Sequence, residues 1–261
     1  MEKNLVYLEK KADIATIYIN RPEKRNALNY DMWWKLIELT KNCERDKEVK
    51  VIIYRGVDGS AFSAGADISE FETLRYTAEG ASKYNQAEIE AEKAIMESTK
   101  PTIAMIQGFC VGGGCEIAIA CDFRFSDQNG RFGIPPAKLG HVFDLSGTKN
   151  LVDLVGPAKA KDILFTGRLL DAEEALRIGL IDRIYNTEEI VEKTYKYAKT
   201  ITRNAQFSVR GSKFIVKKIL EGLTESNEEV AQLVLDSFET DDYKEGVKSF
   251  LEKRKPNFLY S

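Results

Sequence analysis

PTIAMIQGFCVGGGCEIAIACD, residues 101–122, runs from a short β-branched segment through a glycine-rich connection into an apolar stretch with helical character. Strand, glycines and helix in that order mark an α/β unit. Working outward, DIATIYIN (13–20) and VKVIIYRG (49–56) read as strands of the same kind, and MWWKLIELTKNCERD (32–46) between them has helical spacing. Alternation of this sort predicts an α/β core with parallel pairing. The strands at 49–54 and 102–106 each lead into a small-residue segment, GVDGSAFSAGADISEF and GFCVGGGCEIAIACD. That is a structural echo about fifty residues apart. Residues 124–125 and 132–134 read as further short strands around the turn Gln128-Asn129-Gly130.

From about Leu145 the pattern changes to helices, at 158–165, 187–202 and 207–220, with two more up to Lys255. Asp171-Ala172-Glu173-Glu174 is a capping box opening a short helix. The reading is a core over residues 1–195 and a C-terminal helical oligomerisation region over 196–261, with a soft boundary near 185–205.

Composition narrows the function. The 261 residues carry 38 Lys and Arg against 41 Asp and Glu, a net charge of −3, with no basic stripe or arm for nucleic acid. The longest uncharged run, residues 101–115, is broken by glycines and falls short of the roughly 18 apolar residues of a membrane span. The charged start MEKNLVYLEKK has no apolar signal core. Cys43, Cys110, Cys115 and Cys121 form no paired framework, so free thiols in a reducing cytoplasm are expected. One histidine, His141, argues against a His-ligated metal or a Ser-His-Asp triad, and in its turn it reads as a surface or packing residue.

Gly112-Gly113-Gly114 ahead of a helix offers backbone N–H groups unobstructed by Cβ atoms, as a P-loop does, but without the P-loop lysine. Close helix packing explains the glycines equally well. The turn Ser63-Ala64-Gly65-Ala66-Asp67 could aim a second N–H at the same place, the usual construction of an oxyanion hole. Glu116 is the only charge between Lys100 and Asp122 and lies one turn into an apolar helix. Burial should raise its pKa and the helix N-terminus lower it, which suits a general acid or base; a structural ion pair is the plainer alternative. Asp144 precedes a helix and reads first as its N-cap. Trp33 and Trp34 read as packing residues, and Lys253-Arg254-Lys255 as a solvated helix end that a phosphate could use.

The chain resembles the crotonase (enoyl-CoA hydratase/isomerase) superfamily along most of its length. The resemblance rests on Asn20-Arg21-Pro22 with Asn26-Ala27-Leu28, Ala61-Phe62-Ser63-Ala64-Gly65-Ala66-Asp67, residues 108–122, Thr166-Gly167-Arg168, residues 172–181 and Phe250-Leu251-Glu252-Lys253-Arg254. It implies a crotonase-like spiral of ββα units with a C-terminal helical trimerisation region, assembled as a homotrimer or a dimer of trimers. It also implies an acyl-CoA thioester substrate, with no cofactor beyond that coenzyme A and no metal, because the thioester itself is the electrophile. Its oxyanion donors fall on Ala66 and Gly113, and its CoA-binding positions on Ala27, Leu28, Ala64, Asp67, Ile68 and Lys253. Glu116 matches the first catalytic glutamate of hydratases; the second falls on Pro136, which transfers no proton. Asp144 matches an acidic residue of dienoyl-CoA isomerase-like members. Residues 136–151 and the C-terminal segment also look like methylmalonyl-CoA decarboxylase, whose histidine and tyrosine fall here on Ala66 and Phe143. The expected function is a lyase of the enoyl-CoA hydratase type, with decarboxylase, isomerase and non-catalytic acyl-CoA-binding alternatives.

Overall fold

The computed structural model describes residues 4–259. Its first half runs β1 (Val6–Lys11), β2 (Ile14–Ile19), α1 (Tyr30–Arg45), β3 (Val51–Gly56), β4 (Ala61–Ser63), α2 (Phe71–Leu74) and α3 (Ala78–Met96). Then come β5 (Thr102–Ile106), β6 (Phe109–Val111), α4 (Gly113–Ala120), β7 (Phe123–Asp127), β8 (Arg131–Gly133), α5 (Pro136–Leu139) and α6 (Leu145–Thr166). The chain closes with β9 (Leu170–Asp171), α7 (Ala172–Arg177), β10 (Arg183–Tyr185), α8 (Ile190–Thr202), α9 (Gln206–Leu220), α10 (Glu228–Glu239) and α11 (Asp241–Leu251).

Six strands form one sheet in the order β1-β2-β3-β5-β7-β10, and four form a second in the order β4-β6-β8-β9. The chain steps from the first sheet to the second and back through helices: β3 to β4 to α2 and α3, β5 to β6 to α4, β7 to β8 to α5 and α6. This is the expected spiral of ββα units. Pairing is parallel from β2 through β10 in the large sheet, with Ile53 opposite Ile103 and Ile103 opposite Phe123. Only β1 with β2 and β8 with β9 run antiparallel.

Strands buried on both sides are nearly continuous apolar runs, and in β5 all five residues are buried, Ile103 to Ile106 being apolar and Thr102 bonded through its hydroxyl to Asp122. One face packs on Trp33, Leu36, Ile95 and Ile117 from the helices, and the other, through Ile103, Met105 and Phe125, on Ile190 and Ala198 of α8. The 195/196 boundary therefore falls inside a helix that covers the sheet, and α9 is the first helix to leave it.

Local chemistry sets the element ends. Asn29 caps α1 by accepting from the Met32 N–H at 2.9 Å, and Thr77 caps α3 by accepting from the Gly80 N–H at 3.1 Å. Within α6, Gly156 has φ +78° and precedes Pro157, so two helices meet at a kink there. One reading of the sequence needs correction. The segment after Leu145 is not wholly helical, because β9 and β10 extend the two sheets; two and three residues are too few for a period to show. Residues 70–85 are largely α2 and α3. No helix among the described residues is long and apolar enough to cross a membrane.

Candidate active site

β4 and β6 lie side by side, and the small-residue turns that follow them meet. Gly65 has φ +90°, open to glycine, and a Cβ there would lie 2.8 Å from the Val111 carbonyl oxygen and 3.0 Å from the Gly113 nitrogen. A Cβ on Gly113 would lie 2.7 Å from the ring of fully buried Trp33 and 3.6 Å from the Ala66 nitrogen. Both glycines thus permit an approach that any side chain would block. The N–H groups of Ala66 and Gly113 donate to no group among the described residues, whereas those of Gly65, Asp67 and Gly112 all have acceptors. Gly113 opens α4, so its N–H also carries the positive end of that helix. Two adjacent free donors facing a cavity are the arrangement from which oxyanion holes are built.

That cavity, about 320 Å³, is lined by Ala64, Ala66, Ile68, Gly113, Glu116 and Asp144, together with Phe71, Arg75, Asn85 and Glu88. Pro136 lines it too, buried at the start of α5. A larger groove of about 710 Å³ runs beneath α9, lined by Asp122, Lys213 and Val216, and includes none of the glycine turns.

Acidic groups crowd the inner end of the cavity. Glu116 projects from the first turn of α4, and Asp144 caps α6 by accepting from the Gly147 N–H at 3.0 Å. Carboxylate oxygens of Glu92, Glu116 and Asp144 all lie within 4.8 Å of one another. Both Glu92 oxygens are enclosed and have no hydrogen bond of good geometry, although Glu116 and Ser146 stand near enough to influence its proton. Burial, then the charges of Glu92, Glu88 and Asp144, pushes the Glu116 carboxyl well above the usual carboxylate range. The helix N-terminus does not win against them. Burial and the charges of Asp144 and Glu88 push Glu92 up to about 8. Burial also pushes Glu88 up to about 7, with Arg75 opposing from 3.5 Å. With Glu92 and Glu116 holding protons near neutrality, the cluster offers little charge to a cation and reads as a proton-holding site.

Other expected positions sort by layer. Ala64 and Ile68 face the cavity, Ile68 exposed at its edge. Ala27, Leu28 and Asp67 lie behind it as the frame of the Ala66 turn. The Leu28 N–H donates to the Gly65 carbonyl, and the Leu28 carbonyl accepts from the Asp67 N–H. Asp67 is held at 2.6 Å by Arg21 and caps Ser69. Lys253, exposed after α11, is not among the residues lining the cavity. His141 is exposed at the cavity wall. Trp33 packs, as expected, while Trp34 is 42% exposed.

Sequence reasoning missed Glu88, Glu92 and Arg75. A signal existed: Tyr84, Ala87, Ala91, Glu92 and Ile95 form the buried stripe of α3, so Glu92 stands where helical spacing calls for an apolar residue.

A sequence profile described as enoyl-CoA hydratase/isomerase matches residues 9–260. A crotonyl-CoA hydratase of Syntrophomonas wolfei is 37% identical over 258 residues, covering 97% of each chain. A short-chain-enoyl-CoA hydratase of Clostridium acetobutylicum is 36% identical, covering 98% of this chain and 97% of its own. A crystal structure of an enoyl-CoA hydratase/isomerase family protein from Hyphomonas neptunium superposes with a TM-score of 0.96 at 41% identity, covering 98% of both chains.

Proposed function

Since the chain belongs to the enoyl-CoA hydratase/isomerase family, we propose that it is an acyl-CoA lyase of the enoyl-CoA hydratase type, adding water across the 2,3 double bond of an enoyl thioester. The observation that carries this is one cavity holding two free N–H donors, on Ala66 and Gly113, and a buried carboxyl on Glu116. The thioester carbonyl oxygen accepts from both donors, and the negative charge that develops on it as water attacks the β-carbon is stabilised there. Glu116 gives its proton to the α-carbon, and an Asp144 carboxylate takes the proton that water loses. One water is consumed: hydroxyl goes to the β-carbon and hydrogen to the α-carbon.

Pro136 supplies no proton, which gives Asp144 the part that a second glutamate would take. The nearness of Glu116 to Asp144 also favours a second reading, double-bond isomerisation, in which the same pair moves a proton between two carbons without water. Ala64 and Ile68 border the CoA moiety, Ala27, Leu28 and Asp67 frame that turn, and Lys253 meets its phosphates across a subunit boundary. Exposed Val216, Ile219 and Leu220 on α9 and Val234, Leu235 and Phe238 on α10 suit burial in a homotrimer. Four buried free cysteines suit a reducing cytoplasm.

Mass spectrometry of crotonyl-CoA incubated with the protein tests the reading. Gain of one water, lost in Glu116→Gln, supports hydration; an isomerised dienoyl-CoA without mass change supports the second reading. Loss of CO₂ from methylmalonyl-CoA, or tight acyl-CoA binding with no turnover of any thioester, would overturn both.

A further inference from the structure

Glu92 is an acid in the wrong place for a structural residue. It is 1% exposed, on the buried stripe of α3, with both oxygens enclosed and no ion pair among the described residues. An enclosed carboxyl with neither partner nor solvent costs several kcal/mol if ionised, and an apolar side chain would fill the same stripe without that cost. One of its oxygens lies within 4.8 Å of an oxygen of the Glu116 carboxyl and of one of the Asp144 carboxyl. It is absent from the cavity lining, which Glu116 and Asp144 share. Glu92 therefore reaches substrate only through them.

We propose that Glu92 is a positioning residue that holds a proton of its own behind the cavity, keeping Glu116 charged with a proton as the donor in a site where α5 carries Pro136 in place of an acid. Resting on the hydratase reading, the exchange balances. Glu116 gives its proton to the α-carbon as the new C–H bond forms, and Glu92 replaces it. Asp144, having taken the water proton as the C–O bond forms, returns it to Glu92. Every group ends as it began.

The groups facing Glu116 are Glu88 and Glu92 from α3, Asp144 at the start of α6 and Cys115 on its own helix. Arg75 faces Glu88, and His141 stands on the cavity wall. Of these, Glu92 is the enclosed acid without a counter-charge, and after burial its charge is the largest influence on the Glu116 carboxyl.

The test pairs kinetics with a titration that needs no substrate. In Glu92→Gln, kcat for hydration should fall roughly 10²-fold, the low end for a proton-transfer group, with KM within about twofold. Without the Glu92 carboxyl beside it, Glu116 ionises more easily, so the alkaline limb of the kcat profile should move down by about one pH unit or more. Glu92→Asp should restore the limb, because it keeps the acid; a role in shape alone would be met by Glu92→Gln. Infrared titration of the protonated-carboxyl stretch should show the remaining carboxyl deprotonating at lower pH in Glu92→Gln than in the native protein. A pH profile and infrared midpoint unchanged in Glu92→Gln would overturn the proposal, even in an active hydratase. A shifted midpoint in a protein that hydrates no enoyl thioester would instead refute the hydratase reading and leave the coupled pair of Glu92 and Glu116 standing.

Discussion

Glu116→Gln should cost activity and add stability, the second increasingly so as pH rises. The amide has nearly the shape of the carboxyl, so the cavity and the free N–H groups of Ala66 and Gly113 stay in place. Hydration loses its proton donor, and kcat should fall by about 10²–10⁴ while acyl-CoA binding persists. The stability effect follows from the environment of the carboxyl: burial first, then Glu92, Glu88 and Asp144, raise its folded pKa well above the carboxylate range. An unfolded chain releases that proton near pH ~4.3. Above that value the unfolded state binds fewer protons at this site than the folded state does, so native stability falls with pH until the folded group ionises too. The slope is at most about 1.4 kcal/mol per pH unit for one group, and a neutral amide has none. Between pH 6 and 8 the variant should gain on the native protein by up to about 3 kcal/mol. Protons shared with Glu92 make the gain a property of the group rather than of one residue. Urea denaturation at pH 6, 7 and 8, at one protein concentration, measures it. A stability difference that is flat or shrinks with rising pH would refute the buried, proton-holding carboxyl, and undiminished hydration would refute its role as donor.

Gly113→Ala forces a methyl group against the buried Trp33 ring, at 2.7 Å from Cη2. The start of α4 must move, which should cost about 1–3 kcal/mol in a thermal melt and about 10²-fold in kcat as the Gly113 N–H leaves its line with Ala66. Asp144 separates capping from chemistry. Asp144→Asn keeps an acceptor for the Gly147 N–H and should melt within a few tenths of a kcal/mol of the native protein yet lose about 10²-fold in kcat. Asp144→Ala should lose that activity and about 1 kcal/mol besides; full activity in the Asn variant would leave Asp144 a cap and nothing more.

How much of this could be read from the chain depends on how local the cause is. The meeting of the two small-residue turns was legible because glycine and alanine are the cause: Gly65 at φ +90° and Gly113 against Trp33 admit little else, and the small residues stand in the sequence where the backbones meet. Glu116 was legible by contrast, as one charge in an apolar helix. β9 and β10 were not, because strands of two and three residues owe their form to a neighbouring edge rather than to a period of their own. Glu88 and Glu92 were hidden for another reason. Among Glu79, Glu88, Glu90, Glu92 and Lys93 they read as part of a solvated charged face, and helical spacing alone does not say which way that face turns. Packing decides: Tyr84, Ala91 and Ile95 turn inward against α1 and α4, and Glu92 is carried in with them. An acid held on a buried stripe is costly to the fold, and here it lies beside the one acid that the α4 helix already presents to the cavity. The sequence places an acid at 116 and a proline at 136; only the folding of α3 onto α4 sets a further carboxyl, Glu92, behind Glu116, from a position more than forty residues upstream of that proline.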